Sequence, residues 1–226
     1  MKWSSLPRRS RASRRALAAA GIAAALATSG VSVLIAPAAQ ANGATYYVST
    51  SGSDSNSGTS TASPWRSLAK VDATTFQAGD RILFQSGGAW SGQLWPKGSG
   101  ASGAPITIGS YGSGAKPSFA GAGKVADTVK LWNQQYWTIT GIDVSNNAPS
   151  TGTAGANLAD FRGIHVGGDD GKTLSGFVVN AVNVHDVTGV DNWVGGSSAN
   201  NKTGIHFQMG WDRAKNTGGI VFNTTV

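Results

Sequence analysis

A repeat of about 40 residues constrains the fold of this chain more than any other feature of its sequence. Residues 163–166 (GIHV) recur 41 positions later as 204–207 (GIHF), and residues 137–144 (WTITGIDV) recur after 40 as 177–184 (FVVNAVNV). Residues 220–226 (IVFNTTV) begin a third copy. Short strands that alternate apolar and polar residues cannot bury their apolar face alone, so the repeat predicts stacked copies.

One slot of the repeat holds polar residues in each copy, namely Thr140, Asn180 and Asn223. A column of amides at a repeated turn can satisfy the backbone groups of stacked copies. We therefore expect these three residues to lie above one another.

The composition favours strands and turns over helices. All 11 acidic residues are Asp, and the chain has 32 Gly and no Glu, a residue that commonly fills exposed helix positions. One short amphipathic helix is predicted over residues 63–71, with Ser63 as its cap and Pro64 in its first turn. Before the repeat, the predicted strands are 44–49, 81–84, 92–95, 106–108 and 129–132. The sequence predicts an all-β fold without the helices that βαβ crossovers need.

The positive charge is concentrated at the N-terminus. The formal net charge is +7, but residues 1–41 contain six Lys and Arg and no Asp. This basic segment precedes an Ala-rich apolar run and the sequence Ala39-Gln40-Ala41, the layout of a secretory signal peptide cleaved after Ala41. The pair Arg14-Arg15 also fits a twin-arginine export signal. An uncleaved anchor helix is the alternative interpretation of the same apolar run.

Removal of residues 1–41 changes the classes of partner that the charge suggests. Residues 42–226 carry 12 Lys and Arg against 11 Asp, a net charge of +1 without a basic block. Nucleic acid and a membrane surface thus lose their main support as partners. The absence of Cys excludes disulfides, a thiol nucleophile and Cys-ligated metal sites. We expect a secreted, extracellular, monomeric protein.

The order of the segments resembles the right-handed parallel β-helix proteins of the pectate-lyase-like superfamily, over essentially all of residues 44–226. The segments that carry the resemblance are YYVSTSGSDSNSG (46–58), PWRSLAKV (64–71), AGDRILFQSGG (78–88), GAPITIGSYGSGAKP (103–117) and the GIHV and FVVNAVNV copies. The resemblance implies an all-β solenoid, with an N-terminal cap containing one short helix over about 42–123 and coils over about 124–226. It also implies a secreted polysaccharide lyase, glycoside hydrolase or epimerase whose substrate lies along one face of the coil.

The candidate catalytic residues begin with a column of side chains. In GIHV and GIHF the Ile and the Val or Phe face the core, so strand alternation directs His165 and His206 outward, about 5 Å apart if the copies stack. Lys130 takes the same position one coil earlier. Two imidazolium ions at that distance repel by about 3 kcal/mol at an effective dielectric constant near 20. Either one imidazole is neutral and can act as a base, or the column is only an exposed polar ladder.

Acidic residues follow these strands. Asp169 and Asp170 come after the first GIH copy, and Gln208 and Asp212 after the second. Adjacent carboxylates beside a cleft suit general acid–base catalysis or Ca²⁺ binding, although GGDDG is equally typical of a turn. Lyases of the superfamily use an Arg or Lys base with Ca²⁺. No Arg is predicted at an outward strand position here, so that role is not transferred.

Tryptophans are candidates for sugar binding or for packing. Trp193 and Trp211 could stack on sugar faces at the cleft, or pack within loops. Trp65, Trp90 and Trp95 are predicted to pack in the N-terminal cap.

Two functions from different classes fit the sequence. One is a carbohydrate-active enzyme, lyase or hydrolase, that acts on an extracellular polysaccharide through the His, Lys and Asp side chains. The other is a non-catalytic glycan-binding or adhesion β-helix. The chain ends inside an apolar strand after about three repeats, so we also expect it to be an N-terminal fragment of a longer protein, and an inactive fragment is a further alternative. A soluble protein of residues 42–226 that unfolds cooperatively would contradict this expectation.

The pairing of the two histidines gives a first testable prediction. We expect at least one of them to titrate away from the value of a model peptide, because two adjacent imidazolium ions repel each other. The measurement is an NMR titration of the imidazole resonances. Two unshifted histidines would contradict the prediction.

Overall fold

The computed structural model describes residues 43–148, 161–188 and 202–209. These residues are almost entirely β-strands and turns, with one helix, α1 (Leu68–Asp72). Within these ranges, no helix has the length and hydropathy that crossing a bilayer requires.

Fourteen strands make up the rest of the regular structure in the described ranges. In chain order they are β1 (Thr45–Val48), β2 (Thr75–Phe76), β3 (Arg81–Gln85), β4 (Ala89–Ser91), β5 (Lys97–Gly98), β6 (Ile106–Tyr111), β7 (Ser118–Ala120), β8 (Asp127–Trp132), β9 (Trp137–Thr140), β10 (Asp143–Asn147), β11 (Phe161–Gly168), β12 (Phe177–Asn180), β13 (Asn183–Thr188) and β14 (Lys202–Met209).

All strand pairs among the named strands are parallel, and they form four sheets. The largest has the order β1-β3-β6-β9-β12, the second β13-β10-β7-β4 and the third β14-β11-β8, while β2 pairs with β5. Each sheet takes one strand from each successive stretch of the chain. The described residues are therefore nearly all β with parallel sheets, an arrangement consistent with a β-helix-like fold.

The register of these sheets confirms the repeat. Ile164 pairs with Ile205, 41 residues apart. Trp137 pairs with Phe177, and Thr140 with Asn180, 40 residues apart. The third copy, 220–226, lies outside the described residues, as does the Asn223 of the predicted column.

The core consists of columns of apolar side chains on the three large sheets. Because the pairing is in register, each inward side chain lies over the inward side chain of the next strand. Burying one such side chain contributes about 1.5–3 kcal/mol. The columns are Ile82–Ile108–Ile139–Val179, Trp90–Phe119–Val144–Val184, and Val129–Ile164–Ile205 with Leu131–Val166–Phe207 beside it.

Among the polar side chains buried between these strands, that of Asn146 is fully buried. Its Oδ1 accepts a hydrogen bond from the N–H of Gly123 at 3.0 Å. Its Nδ2 donates to the carbonyl oxygens of Val125 (3.0 Å), Ala126 (3.2 Å) and Arg162 (3.1 Å). Asn146 thereby provides partners for backbone groups of the segment 123–126, which precedes β8, and of β11. This is the role that the sequence suggests for Thr140 and Asn180.

The helix begins four residues later than the sequence predicts. Its N-cap is Ser67, whose Oγ accepts from the N–H of Lys70 at 3.1 Å, so the prediction of Ser63 is wrong. The cause is Asp54, whose carboxylate accepts from the N–H groups of Arg66 and Ser67, both at 2.9 Å. These bonds hold the chain before α1 in a non-helical conformation, and Trp65 instead bridges Val48 of β1.

A second correction concerns the predicted strand at 92–95. The strand is β4, just before it, and only Leu94 of the predicted segment makes a β-bridge, to Val129. Gly92 lies in the left-handed region, with φ of 116°, and interrupts the extended chain. The predicted burial of Trp65 and Trp90 is confirmed, since they are 4% and 8% exposed.

The role of Asn146 predicts a large loss of stability for Asn146→Ala. Each buried backbone group left without a partner costs about 1–3 kcal/mol, so we expect the free energy of unfolding to fall by about 3 kcal/mol or more. Urea denaturation of the whole chain measures it. The matched control is Asn147→Ala, because Asn147 is exposed and its loss should cost about 1 kcal/mol or less. Equal effects of the two substitutions would contradict the assignment.

Candidate functional site

The predicted column of Lys130, His165 and His206 is present on the sheet β14-β11-β8, and we call it the imidazole column. His165 pairs in register with Lys130 on one side and with His206 on the other. The two imidazole rings stack with centroids 5.1 Å apart and planes inclined by 20°. The predicted spacing is thus confirmed.

The expectation that His165 is exposed is wrong. Its side chain is only 4% exposed. The ring of Trp132 packs at 5.2 Å from the imidazole centroid on one side, and the ring of His206 covers the other. His165 also contacts a carboxylate, that of Asp127, with Nδ1 3.0 Å from Oδ1. The histidine therefore lies in a polar interior and not on a solvated ladder.

Asp127 is the residue around which this site is organised, and its side chain is 3% exposed. Besides His165, its Oδ1 accepts from the guanidinium of Arg162 at 2.9 Å, and the Lys130 ammonium lies 3.7 Å from Oδ2. Burial alone would raise the pKa of this carboxyl, but the hydrogen bonds and positive charges of His165 and Arg162 outweigh it and lower the pKa. Asp127 is therefore ionised at neutral pH.

Arg162 connects this carboxylate to the second histidine. Its Nε donates to Nδ1 of His206 at 2.8 Å. A guanidinium group has no acceptor, so Nδ1 of His206 must accept and the proton of that neutral ring must be on Nε2. In His165, by contrast, Nδ1 faces a carboxylate and carries a proton. The contacts support the prediction that one imidazole of the pair is neutral, and they assign it to His206.

Asp127, Arg162, His165 and His206 together form what we call the buried ion cluster. Neither Asp127 nor Arg162 is predicted from the sequence, and the prediction that no Arg occupies an outward strand position is wrong, because Arg162 contacts both Asp127 and His206. Strict alternation would direct Arg162 to the same side as Ile164. Gly163 lies between them, where an added Cβ would be 2.5 Å from Cγ1 of Val184 and 2.6 Å from the carbonyl oxygen of Gly204. The alternation fails at this crowded corner.

A signal for the two missed residues is nevertheless present in the sequence. Asp127 precedes Lys130 by three positions, and Arg162 precedes His165 by the same three. Since Lys130 and His165 are in register, Asp127 and Arg162 must be in register too. Opposite charges at equal offsets from a predicted column indicate an ion pair between neighbouring strands.

The two predicted catalytic carboxylates, Asp169 and Asp170, have different surroundings. Asp169 accepts from Nε1 of Trp132 at 3.1 Å and from Nδ2 of Asn133 at 2.9 Å. Asp170 binds the ammonium of Lys172 at 2.9 Å, and this contact lowers the pKa of Asp170. The structure does not bring the two carboxylates together on a shared partner.

A Ca²⁺ ion at Asp169 and Asp170 does not fit the residues that the structure describes. One carboxylate already accepts N–H groups and the other already binds an ammonium group. In the described ranges, no three His, Cys, Asp or Glu side chains are grouped to hold a metal.

The remaining predicted residues fall outside what the structure describes. Trp193, Trp211 and Asp212 lie outside the described ranges. Gln208 is in β14, paired with Gly167, but its side chain is outside the described part. Their proposed roles stay predictions.

A second Asp–His pair lies on the sheet β13-β10-β7-β4. Nε2 of His185 is 2.9 Å from Asp143, and Nδ1 is 2.8 Å from Asp186. Hydrogen bonds to these two carboxylates raise the pKa of His185. The His185 side chain is 50% exposed. The pair is thus a solvated counterpart of the buried contact between Asp127 and His165, and it provides a control for it.

No protein-family model matches the chain. A lacto-N-biosidase of Bifidobacterium longum subsp. longum is 28% identical over 195 residues, which cover 66% of this chain and 12% of the relative. The chain therefore spans about an eighth of the curated relative that it matches.

Solved structures show the same likeness. Two crystal structures of the GH136 lacto-N-biosidase of Eubacterium ramulus match 79% of this chain and 32% of theirs, with TM-scores of 0.57 and 0.51 at 24% and 23% identity. A rhamnogalacturonan lyase matches at a TM-score of 0.44, too low for a structural argument. The lacto-N-biosidase structures show that the matched part of the chain shares their fold.

The buried ion cluster predicts that Asp127→Asn is strongly destabilising. The amide carries no charge to set against the buried guanidinium of Arg162, and removing one member of a buried ion pair costs about 3–5 kcal/mol. Asp143→Asn, in the exposed pair, should cost about 1 kcal/mol or less. Chemical denaturation at pH 7 measures both.

The pH dependence of this difference tests its electrostatic origin. A lowered folded-state pKa means that Asp127 stabilises the protein above the pKa of an unfolded Asp, about 3.9, and that this contribution is lost as the pH falls through the folded-state value. The difference in the free energy of unfolding between wild type and Asp127→Asn should therefore decrease below about pH 4. A difference that does not change with pH would show that Asp127 acts by packing.

Proposed function

We propose that this protein is an exported, carbohydrate-active right-handed parallel β-helix of the pectate-lyase-like type that cleaves glycosidic bonds in an extracellular polysaccharide or oligosaccharide. In this proposal residues 1–41 are the signal peptide, 42–123 the N-terminal cap and 124–226 the coils of a monomeric protein. Two observations support it: parallel sheets whose strands pair 40 and 41 residues apart, and the shared fold with lacto-N-biosidases.

The single observation that carries an enzymatic function is the buried ion cluster. Placing a carboxylate, a guanidinium and two imidazoles out of water costs more than the hydrophobic packing they replace, so such clusters are common at catalytic sites. The cluster lies on one face of the stacked strands, next to Lys130, which is 23% exposed.

The contacts define a role for each residue of the cluster. Asp127 orients His165 and fixes its proton on Nδ1, which makes Nε2 the basic nitrogen of that ring. Arg162 holds His206 neutral, so the pair carries at most one positive charge. His165 then acts as general base or acid toward the glycan, and Lys130 stabilises developing negative charge.

The similarity to lacto-N-biosidases favours hydrolysis over elimination. Hydrolysis of a glycosidic bond uses an acid and a base on opposite sides of the bond. The candidates for the second group are Asp169, which binds Trp132 beside the imidazole column, and Asp212, which follows β14 in the sequence.

One observation favours the non-catalytic alternative. His165 and Asp127 are 4% and 3% exposed, so a substrate could reach them only at the edge of the cluster. In that case the cluster only stabilises the sheet, and the protein is a glycan-binding module.

The experiment offers the full chain a chromogenic lacto-N-bioside and a set of uronic-acid polymers. Hydrolysis releases the chromophore or new reducing ends, elimination produces an unsaturated uronide that absorbs in the ultraviolet, and binding alone is measured by calorimetry. We expect hydrolysis, reduced roughly a hundredfold or more in His165→Gln. The matched control is His185→Gln, which should retain activity because His185 lies on another sheet.

Each other outcome identifies an alternative. Elimination without hydrolysis would indicate a lyase. Binding without either product would support the module, and equal loss in the two histidine variants would contradict the role of His165. If the chain neither cleaves nor binds any of these glycans, the proposal is overturned.

A further inference from the structure

A tryptophan from the preceding coil extends the imidazole column. Leu94 forms a β-bridge with Val129: its N–H donates to the carbonyl of Thr128 at 2.8 Å, and its carbonyl accepts from the N–H of Lys130 at 2.9 Å. This bridge brings Trp95 beside Lys130. Trp95 therefore does not simply pack within the cap, as the sequence suggests, but lies next to the candidate site and is only partly buried.

Two lysine ammonium groups lie against the indole rings at this point. Nζ of Lys97 is 3.2 Å from the ring centroid of Trp95, and Nζ of Lys130 is 4.7 Å from it. Nζ of Lys130 is also 5.1 Å from the ring of Trp132, in the next position of β8 on the same side. We call Trp95, Lys97, Lys130 and Trp132 the Lys–Trp patch.

The positive charge of this patch is only partly compensated by the residues that the structure describes. The carboxylate nearest to Lys130 is Asp127, at 3.7 Å, and it already binds Arg162 and His165 at 2.9 and 3.0 Å. The carboxylate that acts on Lys97 is Asp72, which accepts from the N–H of Trp95 at 2.7 Å. Burial raises the pKa of Asp72 to about 6, so its charge is weakened in mildly acidic solution.

The positive charges of Lys97 and Lys130 also repel each other. Burial lowers the pKa of Lys97, the charge of Asp72 opposes this effect, and the nearby Lys130 lowers the pKa further. Cation–π contacts with Trp95 and Trp132 offset part of the repulsion. An anion placed between the two ammonium groups would relieve the rest, since opposite charges within about 4–6 Å favour the ionised forms.

The orientation of Trp132 makes it suitable as a platform for a sugar ring. Its Nε1 donates to Asp169 at 3.1 Å, which fixes the plane of the indole. Indole faces bury the apolar face of a sugar while the polar edge keeps its own partner. The same side chain packs on His165, so a sugar held there would lie beside the buried ion cluster.

We propose that the Lys–Trp patch is a subsite for a negatively charged sugar residue, whose carboxylate or sulfate group binds Lys97 and Lys130 while its ring stacks on Trp132. This inference rests on the proposed glycan-processing function and names its substrate class. The chemistry that is recognised is an anion on an apolar-faced ring, which either a uronic acid or a sulfated sugar supplies.

The test is a set of calorimetric titrations of the full chain with matched oligosaccharides. The ligands are an oligogalacturonate, its methyl-esterified and therefore neutral form, and a sulfated oligosaccharide of similar length. We expect the charged ligands to bind at least tenfold more tightly than the neutral one, and the preference to decrease as salt screens the charges. The uronate and sulfate ligands distinguish the two sources of the anion.

Substitutions locate the subsite. Lys97→Gln should remove most of the preference for charged ligands, and Lys130→Gln should do the same. Lys116→Gln is the control, because Lys116 is a partly exposed lysine whose Nζ donates to Asn183 on another sheet. Trp132→Ala should weaken binding of charged and neutral ligands alike, whereas Trp132→Phe, which retains an aromatic face, should weaken it less.

The outcomes separate this inference from the proposed function. Equal affinity for charged and neutral ligands, or a charge preference that Lys97→Gln leaves intact, would overturn the subsite even if the chain hydrolyses the neutral lacto-N-bioside. A charge preference that depends on Lys97, in a chain that cleaves none of the glycans, would support the subsite and contradict the catalytic function.

Discussion

In-register parallel pairing is the constraint on which the rest of this structure depends. Every side chain in such a sheet lies beside the residue at the same position of the next strand, about 4.8 Å away. For apolar residues this produces the core columns, in which isoleucines lie over isoleucines. For ionisable residues the same geometry is unfavourable, because a repeated Lys or His would meet a like charge at each step.

The buried ion cluster resolves this conflict on one sheet. Asp127 and Arg162 lie three positions before Lys130 and His165 in their strands. Asp127 is a negative partner for His165, and Arg162 is a positive partner for His206. One histidine then faces a carboxylate and the other faces a guanidinium, so the two stacked rings have different partners. The opposite charges of Asp127 and Arg162 beside the rings stabilise the stack.

The sequence predicts the periodic part of this fold well and its corners poorly. Alternation and spacing predict the pairs Ile164–Ile205 and His165–His206, since both depend on intervals along the chain. The alternation does not predict Arg162, because Gly163 interrupts it where two strands approach closely. The helix cap differs from the predicted one because Asp54, thirteen residues before Ser67, accepts from the local N–H groups. Such contacts between distant residues leave no periodic trace.

The spacing of the imidazole column has a consequence for how such proteins diversify. Lys130 and His165 are 35 residues apart, whereas His165 and His206 are 41 apart, yet both pairs keep the same register. Extra residues are therefore inserted between strands without moving any side chain of the column. Loop length and surface chemistry are separately adjustable in this architecture. A lineage can reshape the walls around its ligand through insertions while the residues beneath stay in place.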